Sequence, residues 1–157
     1  MLWTDKSSFN IGGSRGTIWV TRRPDEEYLE DCLVPKFKKL GSLMVWGAIS
    51  AGARSPDGRK RLVIWNSAEW GRITSKAYIE YILLPHIAPI IETERFHSCN
   101  QIRFYLMEGN APPHAARYSQ NARFTQQIPT LPHGWPANSP DLNPIEVVWR
   151  RMKDYFY

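Results

Sequence analysis

The segment 42–50, SLMVWGAIS, constrains the fold of this chain more than any other stretch. It is almost entirely apolar and has the length of one β-strand, without the polar alternation of a strand that faces water. Such runs are typical of strands that are covered on both faces. A second short run, Leu62–Trp65, follows the turn Asp57-Gly58. We therefore predict that 42–50 is a central strand of a sheet flanked by helices.

Three further segments have the composition of strands. Leu2–Phe9 and Thr17–Thr21 are rich in strand-forming residues, and the glycine-rich turn 12–16 between them predicts a hairpin. The run 102–107, IRFYLM, predicts another strand. It ends before the pair Pro112-Pro113, because proline cannot donate to a sheet ladder.

Apolar residues recur at helical spacing over residues 75–95, and Thr74 in front of them is suited to cap a helix. Pro85 lies inside this stretch and predicts a kink or a restart. A second helix is predicted over His114–Gln127, followed by a short extended piece over Ile128–Leu131.

The last predicted helix has a clear start. Asn143 is suited to the N-cap, Pro144 to the first helical position and Glu146 to the first turn. Strands followed by an alternation of helices and strands predict one α/β domain over residues 1–157.

The composition supports a folded domain. The chain has 157 residues, of which 43% are hydrophobic and 13% aromatic, and this excludes the composition of disordered proteins. No run approaches the roughly 18 apolar residues that a membrane-spanning helix needs, so no membrane partner is expected. Cys32 and Cys99 lack the spacing of a zinc site or a disulfide framework, and we expect reduced thiols.

Charge is distributed unevenly along the chain, whose net charge is +5. Residues 24–31 hold five carboxylates and no base, whereas residues 36–61 are strongly basic. A basic surface of this kind attracts phosphates, although a solvated face that serves solubility is the alternative. The candidate DNA contacts are Lys36, Lys38, Lys39, Arg59, Lys60 and Arg61.

Carboxylates stand at three places where predicted strands end or helices begin. Asp5 lies in the first strand, Glu108 ends a later strand, and Glu146 opens the last helix. Two-metal phosphoryl-transfer sites use carboxylates from distant segments that converge on two cations about 3.5–4 Å apart. Taken singly, each residue also has a structural explanation, such as a surface strand position or a helix cap.

The sequence motifs around these carboxylates resemble those of transposases in the Tc/mariner superfamily. They occur in the order found in the family and extend over essentially the whole chain. They are Leu2-Trp-Thr-Asp-Lys-Ser-Ser-Phe9, Met44-Val-Trp-Gly47, Asn110-Ala-Pro-Pro-His114, Trp135-Pro136 and Ser139-Pro-Asp-Leu-Asn-Pro-Ile-Glu146. The resemblance implies a ribonuclease H-like fold, with a mixed five-stranded sheet flanked by helices. It also implies an Asp, Asp, Glu (DDE) triad that binds two Mg²⁺ or Mn²⁺ ions.

Carried over residue by residue, the resemblance places Asp5 and Glu146 as metal-binding catalytic carboxylates. The middle Asp of the triad falls on Gly109, which offers no ligand. We consider the neighbouring Glu108 as a substitute, which would require the strand end to slip by one residue, because adjacent strand side chains face opposite ways. Asn110 and His114 are supporting candidates, for a metal-bound water and for DNA or water respectively. The alternatives are a turn residue and a capping or surface histidine.

We therefore expect a DDE transposase or endonuclease domain that is catalytically impaired at position 109. The alternative is a non-catalytic remnant that binds DNA or a transposase partner. The helix-turn-helix DNA-binding domains of the family are expected to be absent and the C-terminus truncated, as in a degenerate copy. DNA binding is expected to be weak and mostly non-specific, with a homodimer or a full-length transposase as protein partner and a nuclear location by resemblance.

Overall fold

A mixed four-stranded sheet forms the centre of the part of the chain that the computed structural model describes. The described residues are 1–10, 21, 23–24, 41–51, 60–99, 101, 103–131, 135–136 and 139–156. The strands are β1 (Leu2–Asn10), β2 (Ser42–Ile49), β3 (Lys60–Ile64) and β4 (Leu106–Met107), in the order β3-β2-β1-β4. β2 pairs antiparallel with β1 and β3, and β4 pairs parallel with β1.

The position of β2 agrees with the apolar run that predicts it. The strand lies between β1 and β3, and its residues 45–48 are buried. In the antiparallel register Gly47 of β2 lies directly opposite Asp5 of β1. The middle of the sheet is therefore fixed beside the first candidate carboxylate.

Helices cover both faces of the sheet. The first face packs against α1 (Ser67–Trp70), α2 (Ser75–Tyr78), a π-helix (Ile79–Ile87) and α3 (Ala88–His97), and their shared core includes Leu2, Trp46 and Leu83. The second face packs against α6 (Ile145–Phe156) through Phe9, Val45, Ile145 and Trp149. Successive side chains of β1 point to opposite faces, so β1 contributes to both cores.

The predicted long helix is present and begins where its cap predicts. The Thr74 hydroxyl accepts a hydrogen bond from the Ala77 N–H at 3.2 Å. Pro85 has no N–H to donate, and it lies within the π-helix rather than at a break. The Ala88 N–H bonds to the Leu83 carbonyl, five residues back, so the wider turn lets the helix continue into α3.

The predicted five-stranded sheet is observed with four strands in the described residues. The strand predicted over 102–107 is reduced to Leu106–Met107, and the extended piece over 128–131 contributes only one parallel bridge, from Thr130 to Leu106. The Ile128 N–H instead bonds to the Arg123 carbonyl at 2.9 Å, and Pro129 has no N–H. Too few donors remain in this piece for a regular fifth strand.

The helix predicted over 114–127 is divided in two. α4 (Pro112–Ala115) starts earlier than predicted, and α5 (Arg117–Thr125) follows after Ala116, whose ψ of 139° is extended. The Ser119 hydroxyl donates to the Pro113 carbonyl at 2.5 Å across this break. A side chain thus satisfies a carbonyl that a continuous helix would have paired through its backbone.

The start of the last helix follows its sequence signals. A 3₁₀ turn over Pro140–Leu142 leads into Asn143, whose side-chain oxygen accepts from the Ile145 N–H at 3.3 Å. The first strand of the predicted hairpin is present as β1, whereas its turn, 12–16, and residues 17–20 of its second strand lie outside the described residues. In the described part of the chain, no helix combines the length and the apolar character needed to cross a bilayer.

Candidate active site

A cavity of about 140 Å³ opens where β1, the end of β4 and the start of α6 meet. Asp5, Gly109 and Glu146 all line it, although they are distant in sequence. The remaining walls are formed by Met107, Asn110, Trp135, Pro136, Ser139, Pro140 and Asn143. The structure thus brings the three positions of the expected triad to one place.

Asp5 is held at this cavity by contacts on both sides of β1. The hydroxyl of the preceding residue, Thr4, is buried and donates to the Met107 carbonyl at 2.9 Å, which ties β1 to the end of β4. The Asp5 Oδ2 atom accepts a hydrogen bond from the Trp149 indole N–H at 3.2 Å. The first bond fixes the position of β1 relative to β4, and the second fixes the orientation of the Asp5 carboxylate.

Glu146 lies in the first turn of α6 and is half-buried beside Asp5. Burial raises the pKa of Glu146, and the negative charge of Asp5 together with a hydrogen bond to its carboxyl group raises it further. The ammonium group of Lys153 acts in the opposite direction. A carboxyl group whose ionised form is disfavoured by a neighbouring carboxylate marks a place where a cation is stabilised.

Position 109 has room for a side chain. A Cβ built on Gly109 would have no atom within 4 Å, and the φ of Gly109 lies outside the left-handed region. The glycine is therefore required neither by crowding nor by backbone conformation. Within the described ranges, no three His, Cys, Asp or Glu side chains are grouped so that they could hold a metal ion.

Glu108, considered above as a substitute ligand, is bonded elsewhere and does not line this cavity. Its side chain is 7% exposed, and its Oε2 atom accepts from Arg123 Nη1 at 2.8 Å. The Tyr78 hydroxyl donates to Oε1, which also lies 3.6 Å from His114 Nδ1. The strand end is not shifted by one residue towards the cavity. The Glu108 carboxylate instead contacts Tyr78 of α2, His114 of α4 and Arg123 of α5, and so connects these helices to the end of β4.

His114 is neither a surface residue nor a helix cap, contrary to the alternatives given above. It is buried in α4, and its ring stacks on Tyr78 with ring centroids 4.6 Å apart. Burial, with the positive charges of Lys6 and Arg123, lowers the pKa of His114 to about 4. The imidazole is neutral at pH 7, and it lines a second cavity, of about 200 Å³, together with Glu108 and Arg123.

Asn110 lies at the candidate cavity, where its amide bonds the opposite wall. The side-chain N–H of Asn110 donates to the Trp135 carbonyl at 3.1 Å. This bond uses the amide N–H of Asn110 and leaves its amide oxygen as an acceptor.

The predicted DNA contacts are only partly described. Lys36, Lys38, Lys39 and Arg59 lie outside the described residues. Lys60 is exposed at the start of β3, and by register its side chain is on the same sheet face as that of Asp5. Arg61 is half-buried on the other face, and burial, followed by the positive charge of Arg61, lowers the pKa of His86.

Two further residues contribute to this site, Trp149 and Gly47, and neither is among the candidates that the sequence indicates. Trp149 is 2% exposed, as expected of a core residue, but it also donates to Asp5. Its spacing of three residues from Glu146 places both on one helical face, which is a sequence signal for this contact. The place of Gly47 opposite Asp5 depends on the strand register, for which the sequence holds no comparable local signal.

Comparisons with known proteins agree with this geometry. No protein-family model matches the chain. The Tcb1 transposase of Caenorhabditis briggsae is 30% identical over 153 residues, and the Tc1 transposase of Caenorhabditis elegans is 27% identical over 153 residues. Each alignment covers 97% of this chain and 50% of the relative, so the chain spans about half the length of these relatives.

Two solved structures share the fold. The Mos1 transposase paired-end complex with left transposon end matches with a TM-score of 0.61 and 16% identity, over 98% of this chain and 41% of that one. The Mos1 mariner paired-end complex with Mn matches with a TM-score of 0.57 and 19% identity, over 96% and 40%. Over nearly its whole length the chain is thus similar in sequence to about half of the Tc1-type transposases of Caenorhabditis, and it shares its fold with parts of the two Mos1 structures.

Proposed function

We propose that this chain is a ribonuclease H-like DDE domain of the transposase type, related to DNA cleavage and strand transfer, whose chemistry is impaired at position 109. The strand order β3-β2-β1-β4, with β2 antiparallel and β4 parallel to β1, supports the fold. The bridge from Thr130 to Leu106 lies where a fifth strand would extend the sheet.

The observation that carries the proposal is the shared cavity of Asp5, Gly109 and Glu146. Two of the three positions supply carboxylates, and the third supplies open space that a side chain could occupy. Convergence of positions that are distant in sequence is the arrangement that a two-metal phosphoryl-transfer site requires.

The donors at the cavity fit one weakly held divalent cation better than a pair of cations. Asp5 and Glu146 would hold it, with the amide oxygen of Asn110 nearby, and hard cations such as Mg²⁺ and Mn²⁺ prefer oxygen ligands of this kind. In an intact site, metal ions activate the attacking oxygen and stabilise the leaving oxygen of a phosphodiester. Without a carboxylate at 109 the donors are too few for both ions.

DNA is the proposed partner. Arg150 and Arg151 are exposed on α6, the helix that carries Glu146, and Lys60 is exposed on the sheet face of Asp5. Two strand spacings, about 10 Å, separate β3 from β1, so Lys60 can contact a backbone that crosses the cavity. Binding through such contacts is sequence-independent and weakens steeply with salt.

Nicking of supercoiled plasmid in Mg²⁺ or Mn²⁺ tests the proposal, with Glu146→Gln as the inactive reference. We expect the native chain to nick no faster than Glu146→Gln, and Gly109→Asp to nick faster than both. Native activity that is lost in Glu108→Ala would show that Glu108 serves as a ligand after all, and that the site is not impaired. Equal rates for all variants would contradict the assignment of the site.

A non-catalytic remnant that binds DNA or a transposase partner is the second candidate. The buried bonds of Glu108 favour it, because they stabilise the strand end beside Gly109 without any metal. If this candidate is right, Gly109→Asp leaves DNA affinity and its salt dependence unchanged and restores no nicking. Fluorescence anisotropy with a labelled duplex at several salt concentrations measures both quantities.

A further inference from the structure

Gly47 of β2 has no side chain, and the indole of Trp149 occupies the space that a side chain at 47 would need. A Cβ built on Gly47 would lie 2.6 Å from Cη2 and 2.9 Å from Cζ2 of Trp149. It would also lie 3.3 Å from Cδ1 of Ile145. Any larger residue at 47 would therefore force the Trp149 indole to shift, because contacts this short do not occur between carbon atoms.

The indole in this space reaches Asp5. Gly47 is the register partner of Asp5, and the Trp149 N–H donates to Asp5 Oδ2 at 3.2 Å. The indole is 2% exposed and packs edge-to-face on Phe9, with ring centroids 6.2 Å apart. Packing thus fixes the donor, and the donor fixes one oxygen of the carboxylate.

We propose that Trp149 is a positioning residue for the candidate metal site, and that Gly47 makes this role possible. Trp149 orients the Asp5 carboxylate through its N–H and anchors the first turns of α6 in the space at Gly47. Because Glu146 lies three residues before Trp149 on the same helical face, this anchor also sets Glu146 beside Asp5. The inference rests on the proposed function insofar as the positioned carboxylates hold a cation.

Trp46 provides a matched control. It is adjacent to Gly47 on β2, faces the opposite core and is 4% exposed. Its indole N–H has no hydrogen-bond partner among the described residues. Trp46→Phe and Trp149→Phe therefore both remove a buried indole, but only Trp149→Phe removes a donor to Asp5.

The first experiment measures the Mn²⁺ dissociation constant by electron paramagnetic resonance, and the melting temperature, in the chain carrying Gly109→Asp. We expect an added Trp149→Phe to weaken Mn²⁺ binding about tenfold, the size of effect seen when groups that orient metal ligands are removed. An added Trp46→Phe should leave affinity within about twofold, at a similar or larger loss of melting temperature. Equal Mn²⁺ affinities for the two tryptophan variants would overturn the proposal.

The second experiment needs no metal and separates this inference from the proposed function. It follows solvent exchange of the Trp149 indole N–H by ¹⁵N NMR in the native chain and in Asp5→Ala. We expect exchange to be faster in Asp5→Ala, even if Gly109→Asp binds no Mn²⁺ and the metal proposal fails. Unchanged exchange would overturn the role of Trp149, whatever the metal experiment gives.

Discussion

Replacing Arg123 by Met tests how the end of β4 is held in place. Arg123 donates to Glu108 Oε2 at 2.8 Å and to the His114 carbonyl at 2.9 Å, and the Arg123 and Glu108 side chains are 12% and 7% exposed. Removal of the guanidinium leaves a buried carboxylate without its cation. Breaking such a pair costs about 3–5 kcal/mol, and the remaining bond from Tyr78 places our expectation at about 3 kcal/mol.

The expected loss depends on pH in a defined direction. Burial already raises the pKa of Glu108, and the charge of Arg123 opposes this rise. In Arg123→Met the charge that lowers the pKa of Glu108 is absent, so Glu108 binds a proton at a higher pH in the native state than in the unfolded chain. The contribution of Glu108 to the stability of the variant should therefore increase as pH falls from 7 towards the unfolded pKa of Glu108, so the deficit of the variant relative to the native chain should shrink.

Urea unfolding followed by tryptophan fluorescence at pH 7 and near pH 5 measures these quantities. Arg117→Met is the matched control, because Arg117 is exposed on the same helix and its loss removes the same charge, with an expected effect below about 0.5 kcal/mol. Adding Glu108→Gln to Arg123→Met removes the unpaired charge and should recover part of the loss. A loss below about 1 kcal/mol at pH 7, with no recovery on adding Glu108→Gln, would refute the reasoning.

Two further predictions concern stability. Thr74→Ala removes the cap of the long helix and should cost about 1 kcal/mol in urea unfolding, whereas Thr74→Ser keeps the hydroxyl and should cost less; equal losses would contradict the capping role. The lowered pKa of His114, about 4, means that the unfolded chain binds this proton more readily than the native chain. Neutral His114 therefore contributes up to about 3 kcal/mol of stability above the unfolded pKa of about 6.5, and this contribution is lost as pH falls towards 4. An NMR titration in which His114 protonates near pH 6.5 would contradict this prediction.

Local sequence signals predicted the elements that depend on local bonds. Thr74 and Asn143 cap their helices through side-chain bonds to residues two or three positions away, and both starts were predicted. The apolar run in β2 predicted a buried strand, and residues 45–48 at its centre are buried. In these cases the physical cause lies within the segment itself.

Elements whose form depends on distant partners were predicted less well. Of the residues described in the predicted strand 102–107, Leu106–Met107 alone form a strand, because a strand extends only as far as neighbouring strands pair with it. The burial of His114 depends on Tyr78, and the orientation of Glu108 depends on Tyr78 and Arg123. No local pattern encodes these contacts.

The candidate site shows the same division. The sequence motifs identified three positions of the site, Asp5, Gly109 and Glu146. The structure adds that these positions share a cavity. The contact between Trp149 and Asp5 needs both the register of β2 and the packing of α6. Gly109 is neither crowded nor in a left-handed conformation, so the backbone at 109 could carry an aspartate. The carboxylate is missing because the residue at 109 is glycine.

The Mn²⁺ affinity of the native chain compared with that of Gly109→Asp tests the central claim most directly. Electron paramagnetic resonance measures it, with Asn121→Asp as a control that adds the same charge on the exposed surface of α5. Because divalent-cation affinity follows the number of charged oxygen ligands, we predict at least about tenfold tighter binding for Gly109→Asp and no change for Asn121→Asp. Equal affinity of the native chain and Gly109→Asp would contradict the claim that position 109 is where the site lacks its ligand.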